Sequence, residues 1–192
     1  MTSVEGSARR EQMEPDTVVR FSRSQRLEHL MIVIVFTMLV LTGLPQRFSE
    51  NALSEWIVLR FGGIYTLRFI HRIFAYLFAF QAVYHLASVI NHLFVQKGRP
   101  TMLLAGSDFR ETLDSLRYDL GLSDRRPQFD RYDFREKFEY WGMVLGGVVM
   151  LVSGFILLFP TLSARVLPGQ FIPAAKAMHG YEGLMALLII LI

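Results

Sequence analysis

Four of the five histidines lie in or at the start of long apolar stretches: His29, His71, His85 and His179. A neutral imidazole can bind a metal there without adding charge to an apolar environment. His71 and His85 are 14 residues apart. In a helix this step covers about 21 Å and returns to within about 40° of the same face. One helix could therefore present two imidazoles at two heights, as a protein holding two stacked metal centres would require.

The absence of cysteine narrows the chemistry that these histidines can support. It excludes thiolate metal sites, iron–sulfur clusters, covalently attached haem and disulfides. The net charge of +3 does not indicate a nucleic-acid partner, because basic residues in a membrane protein mark its cytoplasmic loops. A metal centre in this chain must therefore use histidine nitrogen.

The elements that position the histidines are membrane-spanning helices. Hydrophobic residues make up 52% of the chain and are concentrated in four runs with few ionisable side chains. About 20 helical residues cross a hydrocarbon core about 30 Å thick, and backbone in lipid must satisfy its own hydrogen bonds. We therefore expect an all-α, integral membrane four-helix bundle. The expected spans cover about 27–46, 66–94, 137–159 and 174–192.

The rest of the chain is polar. We expect residues 1–26 to form an N-terminal tail, which lacks the apolar core of a signal peptide, and residues 27–192 to form the transmembrane domain. The loop over 95–136 has apolar residues at helical spacing among charges, which predicts an amphipathic helix on the membrane surface. No internal repeat is apparent. The apolar residues of this helix are Phe109, Leu113, Leu116 and Leu120.

The distribution of basic residues predicts the orientation. Fourteen of the 20 Lys and Arg residues lie in the tail and the middle loop, and six lie in the other two connections. The positive-inside rule therefore puts the N-terminus and the middle loop in the cytoplasm. His71 and His179 would then lie level on the outer side. His29 and His85 would lie roughly level on the inner side.

Histidines at matching depths favour haem ligation, and we expect two b-type haems. Haem iron in an electron carrier takes two strong axial ligands, which neutral imidazoles on two facing helices supply. His71 and His179 are the expected outer pair, and from the residues alone an inner haem would use His29 with His85. A single membrane histidine could instead bond to a backbone carbonyl. His92, at the end of the second span, is interpreted as an interfacial residue.

Three arginines beside these histidines are candidate partners for haem propionates: Arg26, Arg68 and Arg72. They also fit the ordinary positive flanks of membrane helices. Glu182 lies one helical turn after His179, where it could orient a ligand, carry protons or be neutral and hydrogen-bonded. The sequence indicates no catalytic residue and no quinone pocket.

Short motifs are spread over the whole chain except the tail. They are RLEH at 26–29, TG at 42–43, FIHR at 69–72, YDFREKFEYW at 132–141 and HGYEG at 179–183. In these motifs the chain resembles the cytochrome b subunits of formate dehydrogenase and of membrane-bound nickel–iron hydrogenase. The resemblance is most specific in the second half of the chain.

The resemblance implies a four-helix di-haem b subunit in a bacterial or archaeal plasma membrane. Such a subunit passes electrons between a quinone and a partner, which would be a multihaem cytochrome, an iron–sulfur subunit or a dehydrogenase subunit. The outer haem would be held by His71 and His179. The inner haem would use His29 with a second histidine of the fourth helix, which falls beyond this chain.

His85 is not a ligand in that family pattern. Its spacing from His71 instead resembles the paired ligands in the cytochrome b of quinol:cytochrome c reductases. The ligands of the inner haem are therefore open between these patterns, including whether His29 or His85 is one of them.

Two other functions fit the same sequence. A haem-free membrane anchor for a partner enzyme would need the four spans but not the histidines. A transporter or proton channel would use the histidines as a relay. Haem absorption separates both from an electron-transfer subunit, and the sequence leaves open whether the chain is an enzyme in its own right.

Overall fold

The computed structural model describes residues 21–98, 100–124 and 131–191, so most of the expected tail lies outside the described residues. The described part of the chain contains seven α-helices and one π-helical turn that continues the third helix. The helices are α1 (Arg23–Arg47), α2 (Ala52–Arg60), α3 (Ile64–Ile90), α4 (Gly106–Asp119), α5 (Phe134–Leu158), α6 (Pro160–Val166) and α7 (Phe171–Leu191), and the π-helical turn is Asn91–Val95.

The four long helices, α1, α3, α5 and α7, are each long and apolar enough to cross a membrane. Their outward surfaces carry large apolar side chains such as Phe80, which is 72% exposed. Such surfaces suit contact with lipid rather than water. The predicted fold class, an all-α integral membrane four-helix bundle, is confirmed, and the chain is a multi-pass membrane protein.

Polar caps begin two of the spanning helices before their apolar runs. The Ser22 hydroxyl group accepts from the Gln25 backbone N–H, and the Gln25 side chain accepts from the Ser22 backbone N–H. For this reason α1 begins at Arg23, ahead of the apolar residues. Asp133 and Glu136 form the same reciprocal pair at the start of α5. Each cap satisfies backbone N–H groups that the helix leaves free and contributes about 1 kcal/mol.

The spanning helices form two hairpins with the same order of elements. We call α1–α3 hairpin A and α5–α7 hairpin B, and each consists of a long, a short and a long helix. The helices pack most extensively within each hairpin, whereas α1 touches α7 and α3 touches α5 less extensively. Consequently α3 and α7, which carry His71 and His179, lie at opposite corners of the bundle.

The two ends of the bundle carry different connections. The short helices α2 and α6 lie at one end, called the hairpin end, and α4 lies at the other, called the loop end. At the hairpin end the chain turns from α2 into α3 through Gly62 (φ 82°) and Gly63 (φ 98°). These left-handed backbone conformations favour glycine, so the two residues set where α3 begins.

At the loop end, α4 is joined to the start of α5. Lys137 Nζ donates to Asp108 Oδ1 over 2.6 Å, and the two side chains are 5% and 3% exposed. The Trp141 indole N–H donates to the Met102 carbonyl oxygen over 2.8 Å. The Ala105 backbone N–H, and then the Lys137 ammonium, hold the pKa of Asp108 below its ordinary value. A buried ion pair thus fixes α4, which covers the residues for which the sequence predicts an amphipathic helix except Leu120, its C-cap.

Candidate functional site

His71 and His179 face each other at the hairpin end. Their ring centres are 6.3 Å apart and the ring planes are inclined at 76°. His71 lies near the start of α3, and His179 lies in the first half of α7. The structure thus brings together the two histidines that the sequence predicts as the outer pair.

Each ring is held by a hydroxyl group from its own hairpin. Thr42 Oγ1 on α1 lies 2.9 Å from His71 Nδ1, and both residues belong to hairpin A. Ser153 Oγ on α5 lies 2.9 Å from His179 Nδ1 in hairpin B. Thr42 and Ser153 are buried, so water does not compete for these contacts. The two hairpins therefore position their histidines in the same way.

The hydroxyl groups also determine which ring nitrogen carries the proton. Thr42 Oγ1 donates to the Met38 carbonyl oxygen over 2.6 Å. Ser153 Oγ donates to the Val149 carbonyl oxygen, also over 2.6 Å. A hydroxyl group has a single proton, so each oxygen must accept from the Nδ1–H of its histidine. The neutral ring then keeps its lone pair on Nε2, the nitrogen left for a metal.

The distance between the rings is close to the one expected for two imidazoles that bind the same metal ion. In both rings the hydroxyl group contacts Nδ1 and not Nε2. With histidine–metal bonds of about 2.0 Å and about 1.1 Å from nitrogen to ring centre, two such ligands have ring centres about 6.2 Å apart. The 6.3 Å between His71 and His179 matches this distance.

Glycine allows each ring to lie close to the neighbouring helix. A Cβ added at Gly43 would lie 3.1 Å from His71 Cε1. One added at Gly154 would lie 3.3 Å from His179 Cε1. Each glycine directly follows the residue whose hydroxyl group holds the ring. A larger side chain at either position would displace the imidazole, because packed side chains leave little room to relax.

The donor set suits a metal that brings its own equatorial ligands. The parts of the chain that the structure describes contain no cluster of three or more His, Cys, Asp or Glu side chains able to hold a bare metal ion. Two imidazoles fill only two coordination positions. Haem iron needs no more than two axial ligands from the protein, whereas a protein zinc site uses three or four. The pair therefore fits haem better than a bare ion.

Arg47, a cation that the sequence reasoning misses, packs against the two residues that follow His179 in α7. The guanidinium carbon of Arg47, in the last turn of α1, is 5.0 Å from the centre of the Tyr181 ring. A Cβ added at Gly180 would lie 3.0 Å from Arg47 Nε. The sequence signal for Arg47 is its place near the end of the helix that carries Thr42. It adds a cation to the hairpin end, on the helix that packs beside α7.

The other charged residues singled out from the sequence lie around the bundle. Arg26, Arg68 and Arg72 have exposed side chains; the last two lie at the hairpin end and Arg26 lies at the loop end. Glu182 of α7 packs against Gly146 of α5, where an added Cβ would overlap the carboxylate. The role of the three arginines as haem propionate partners stays a prediction.

At the loop end, His85 has protein partners on both ring nitrogens. Its Nδ1 lies 3.0 Å from Glu28 Oε2, and its Nε2 lies 3.2 Å from the Tyr140 hydroxyl group. Gln81, one turn earlier in α3, donates to the Glu28 carbonyl oxygen over 2.9 Å. Hydrogen bonds thus join three helices, α1, α3 and α5, around His85.

The structure does not place His29 and His85 in contact. The His29 side chain is exposed, and no hydrogen bond or ring contact among the described residues joins it to His85. His92 is exposed in the π-helical turn, with Nδ1 3.3 Å from Gln96 Oε1. The ligands of an inner haem therefore stay a prediction, and the hairpin end is the better defined site.

Two comparisons of the sequence with known proteins identify no relative. No family model matches the chain, and a search of the curated proteins finds no match. The case for a function therefore depends on the geometry of the histidine pair and on the sequence motifs around it.

Proposed function

We propose that this chain is a membrane b-type cytochrome in which His71 and His179 bind a haem, and that it transfers electrons between a quinone and a partner redox subunit. The proposal depends on the facing imidazoles, with ring centres 6.3 Å apart and each Nδ1 held by a buried hydroxyl group. The resemblance in sequence motifs points to the same function.

The protein binds, orients and shields the haem. His71 and His179 would supply two neutral ligands and would add no charge to the apolar interior. The hydroxyl groups of Thr42 and Ser153 fix the orientation of the rings and the position of the ring proton. Haem bound by two strong ligands supplies one-electron redox chemistry. Because two protein side chains would hold the iron, the arrangement would suit electron transfer rather than binding of a gas.

The membrane, the orientation, the second haem and the partners are proposed from the sequence. We propose a bacterial or archaeal plasma membrane, a cytoplasmic N-terminus and a second haem at the loop end. Ligation by His85 would require the loss of its Glu28 or Tyr140 contact, whereas the exposed His29 makes no such contact within the part of the chain that the structure describes. The quinone would bind near one haem, and the partner would be a multihaem cytochrome, an iron–sulfur subunit or a dehydrogenase subunit.

The test is the haem content of histidine variants of the full chain, purified in mild detergent. We expect His71→Ala and His179→Ala each to lose about one haem per chain in a pyridine haemochrome assay, because haem then has only one protein ligand. His92→Ala is the matched control, since His92 is exposed and far along the same helical segment as His71. Unchanged haem content in both site variants would reject the proposed ligands.

A proton or ion pathway is the competing candidate, and one observation favours it. Glu28, His85 and Tyr140 form a chain of hydrogen bonds across three helices, as a proton relay in a membrane would require. Such a protein would be colourless and would conduct ions into liposomes in a manner that His85→Ala abolishes. A coloured preparation with no flux dependent on His85 would reject this candidate.

A further inference from the structure

Helix α4 has three distinct faces, and the first packs on α5. It consists of the buried Asp108 and the half-buried Glu111, Thr112 and Ser115. At about 100° per residue these four side chains share one side of the helix. The ion pair between Asp108 and Lys137 is buried within this contact.

The second face is apolar and exposed. Phe109 is 74% exposed, Leu116 is 52% exposed and Leu120 is 63% exposed. Together with Leu113 they form a stripe about a third of a turn away from the face on α5. Burying one large apolar side chain contributes about 1.5–3 kcal/mol, so a stripe of four strongly favours apolar surroundings. We call these four residues the Phe109 stripe.

The third face is charged. Arg110, Asp114 and Arg117 are exposed, and Arg117 Nη1 lies 3.5 Å from Asp114 Oδ1. By helical spacing this face borders the Phe109 stripe and points away from α5. A helix with one side on protein, one apolar side and one charged side fits the boundary between a membrane protein, lipid and water.

The attachment to α5 places α4 at the height of the membrane surface. Lys137 and Trp141 hold α4 and the segment before it, and the uncharged part of α5 begins at Tyr140. Tryptophan and basic residues are typical of the level at which a spanning helix leaves the lipid. Leu103 and Leu104, just before α4, are also exposed and enlarge the apolar surface at this level.

We propose that α4 lies in the membrane surface with the Phe109 stripe inserted between lipid headgroups and acyl chains. The lipid is that of the bilayer the chain spans, because the stripe lies where the lipid-facing surface of α5 begins. With four acidic residues and two arginines, α4 has no net positive charge to attract anionic lipid. Its insertion therefore depends on apolar contact and not on headgroup charge. The inference does not depend on the haem site.

The absence of cysteine allows single nitroxide labels to be placed on each face of α4. Phe109→Cys and Leu116→Cys carry labels on the apolar face, and Asp114→Cys and Arg117→Cys carry matched labels on the charged face. Phe80→Cys on α3 provides the value for a lipid-facing position. The measurement is made on the full chain in phosphatidylcholine nanodiscs. For each label it compares accessibility to molecular oxygen with accessibility to a water-soluble nickel complex. We expect the ratio of oxygen to nickel accessibility to be at least about fivefold higher on the apolar face than on the charged face.

Three results would overturn the proposal. Equal access of the water-soluble nickel complex to both faces would show that the stripe lies in water. Protection of positions 109 and 116 from both reagents would show a protein partner instead of lipid. A contrast that appears only after phosphatidylglycerol is added would show attraction to anionic headgroups, whereas the same contrast in both lipids supports apolar insertion.

Discussion

The two ends of the bundle hold their histidines in different ways. At the hairpin end, His71 and His179 each have one ring nitrogen held by a hydroxyl group. At the loop end, both ring nitrogens of His85 have protein partners. A hydroxyl group that already donates to the backbone leaves Nε2 available, whereas a carboxylate and a phenol together engage the whole ring. Helical spacing sets the height of an imidazole, but its neighbours decide whether it is available to a metal.

Lys137→Ala should disrupt the loop end and spare the hairpin end. It leaves Asp108 buried without its ion-pair partner, which costs about 3–5 kcal/mol. We expect α4 to detach from α5, seen as a red shift of Trp141 fluorescence in a Trp56→Phe background, while haem content is unchanged. Arg117→Ala breaks an exposed pair on the same helix and should cost less than about 0.5 kcal/mol. Equal effects of the two variants would show that the buried pair does not hold α4.

Gly154→Val should weaken haem binding at the hairpin end by about 1–3 kcal/mol, or about 5- to 150-fold. The added side chain would compete for the space of the His179 ring, which a Cβ alone would approach to 3.3 Å. Haem titration of the haem-depleted chain measures the loss. Gly142→Val on the same helix is the control, because a Cβ there meets nothing within 4 Å. If Gly142→Val weakens haem binding as much as Gly154→Val does, the loss comes from a change in the packing of α5 and not from displacement of the His179 ring.

Thr42→Val and Ser153→Ala should each weaken haem binding by about 10-fold, because they remove the group that accepts from Nδ1–H. The same variants should shift the reduction potential of the bound haem, measured by redox titration. Thr37→Val is the matched control on α1: its hydroxyl group donates to the Val33 carbonyl oxygen over 2.7 Å. A potential shift in this control equal to that of Thr42→Val would contradict a direct role of the hydroxyl group.

A pH dependence confined to acidic conditions should appear at the loop end. The folded pKa of Asp108 lies below its ordinary value of 3.8. The stability that its carboxylate contributes is therefore complete above the ordinary value and is lost as pH falls through the lower folded pKa. Docking of α4, followed by Trp141 fluorescence, should persist at about pH 4 and weaken only below it. The wild-type chain could instead lose the docking of α4 with a midpoint above this pH, or Asp108→Asn could lose it at the same midpoint as the wild type. Either result would contradict the role of the Asp108 carboxylate in holding α4.

The spans could be predicted because a long apolar segment in lipid must satisfy its own backbone hydrogen bonds, which an α-helix does. The starts of α1 and α5 differ from the apolar runs because Ser22 and Asp133 add polar turns through their caps. Neither α2 nor α6 is long enough for hydrophobic periodicity to reveal it. Their presence gives both hairpins the same order of helices, a likeness that the sequence does not make apparent.

At the candidate site, the sequence could predict that His71 and His179 lie at the same height, because the depth of a residue in the membrane follows from its position along its span. The hydroxyl partners could not, because 29 and 26 residues separate Thr42 and Ser153 from their histidines. Hairpin packing alone makes these residues neighbours, and the same is true of Arg47. A signal was nevertheless present: a hydroxyl residue followed by glycine occurs toward the end of the first long helix of each hairpin.

The proposed haem ligands can be isolated by combining His29→Ala with His85→Ala, which leaves the hairpin-end pair and the exposed His92. We predict that this double variant keeps about one six-coordinate low-spin haem per chain, and that carbon monoxide does not change its reduced absorption spectrum because both axial positions are filled. A colourless double variant, or a reduced haem that binds carbon monoxide, would contradict ligation by His71 and His179.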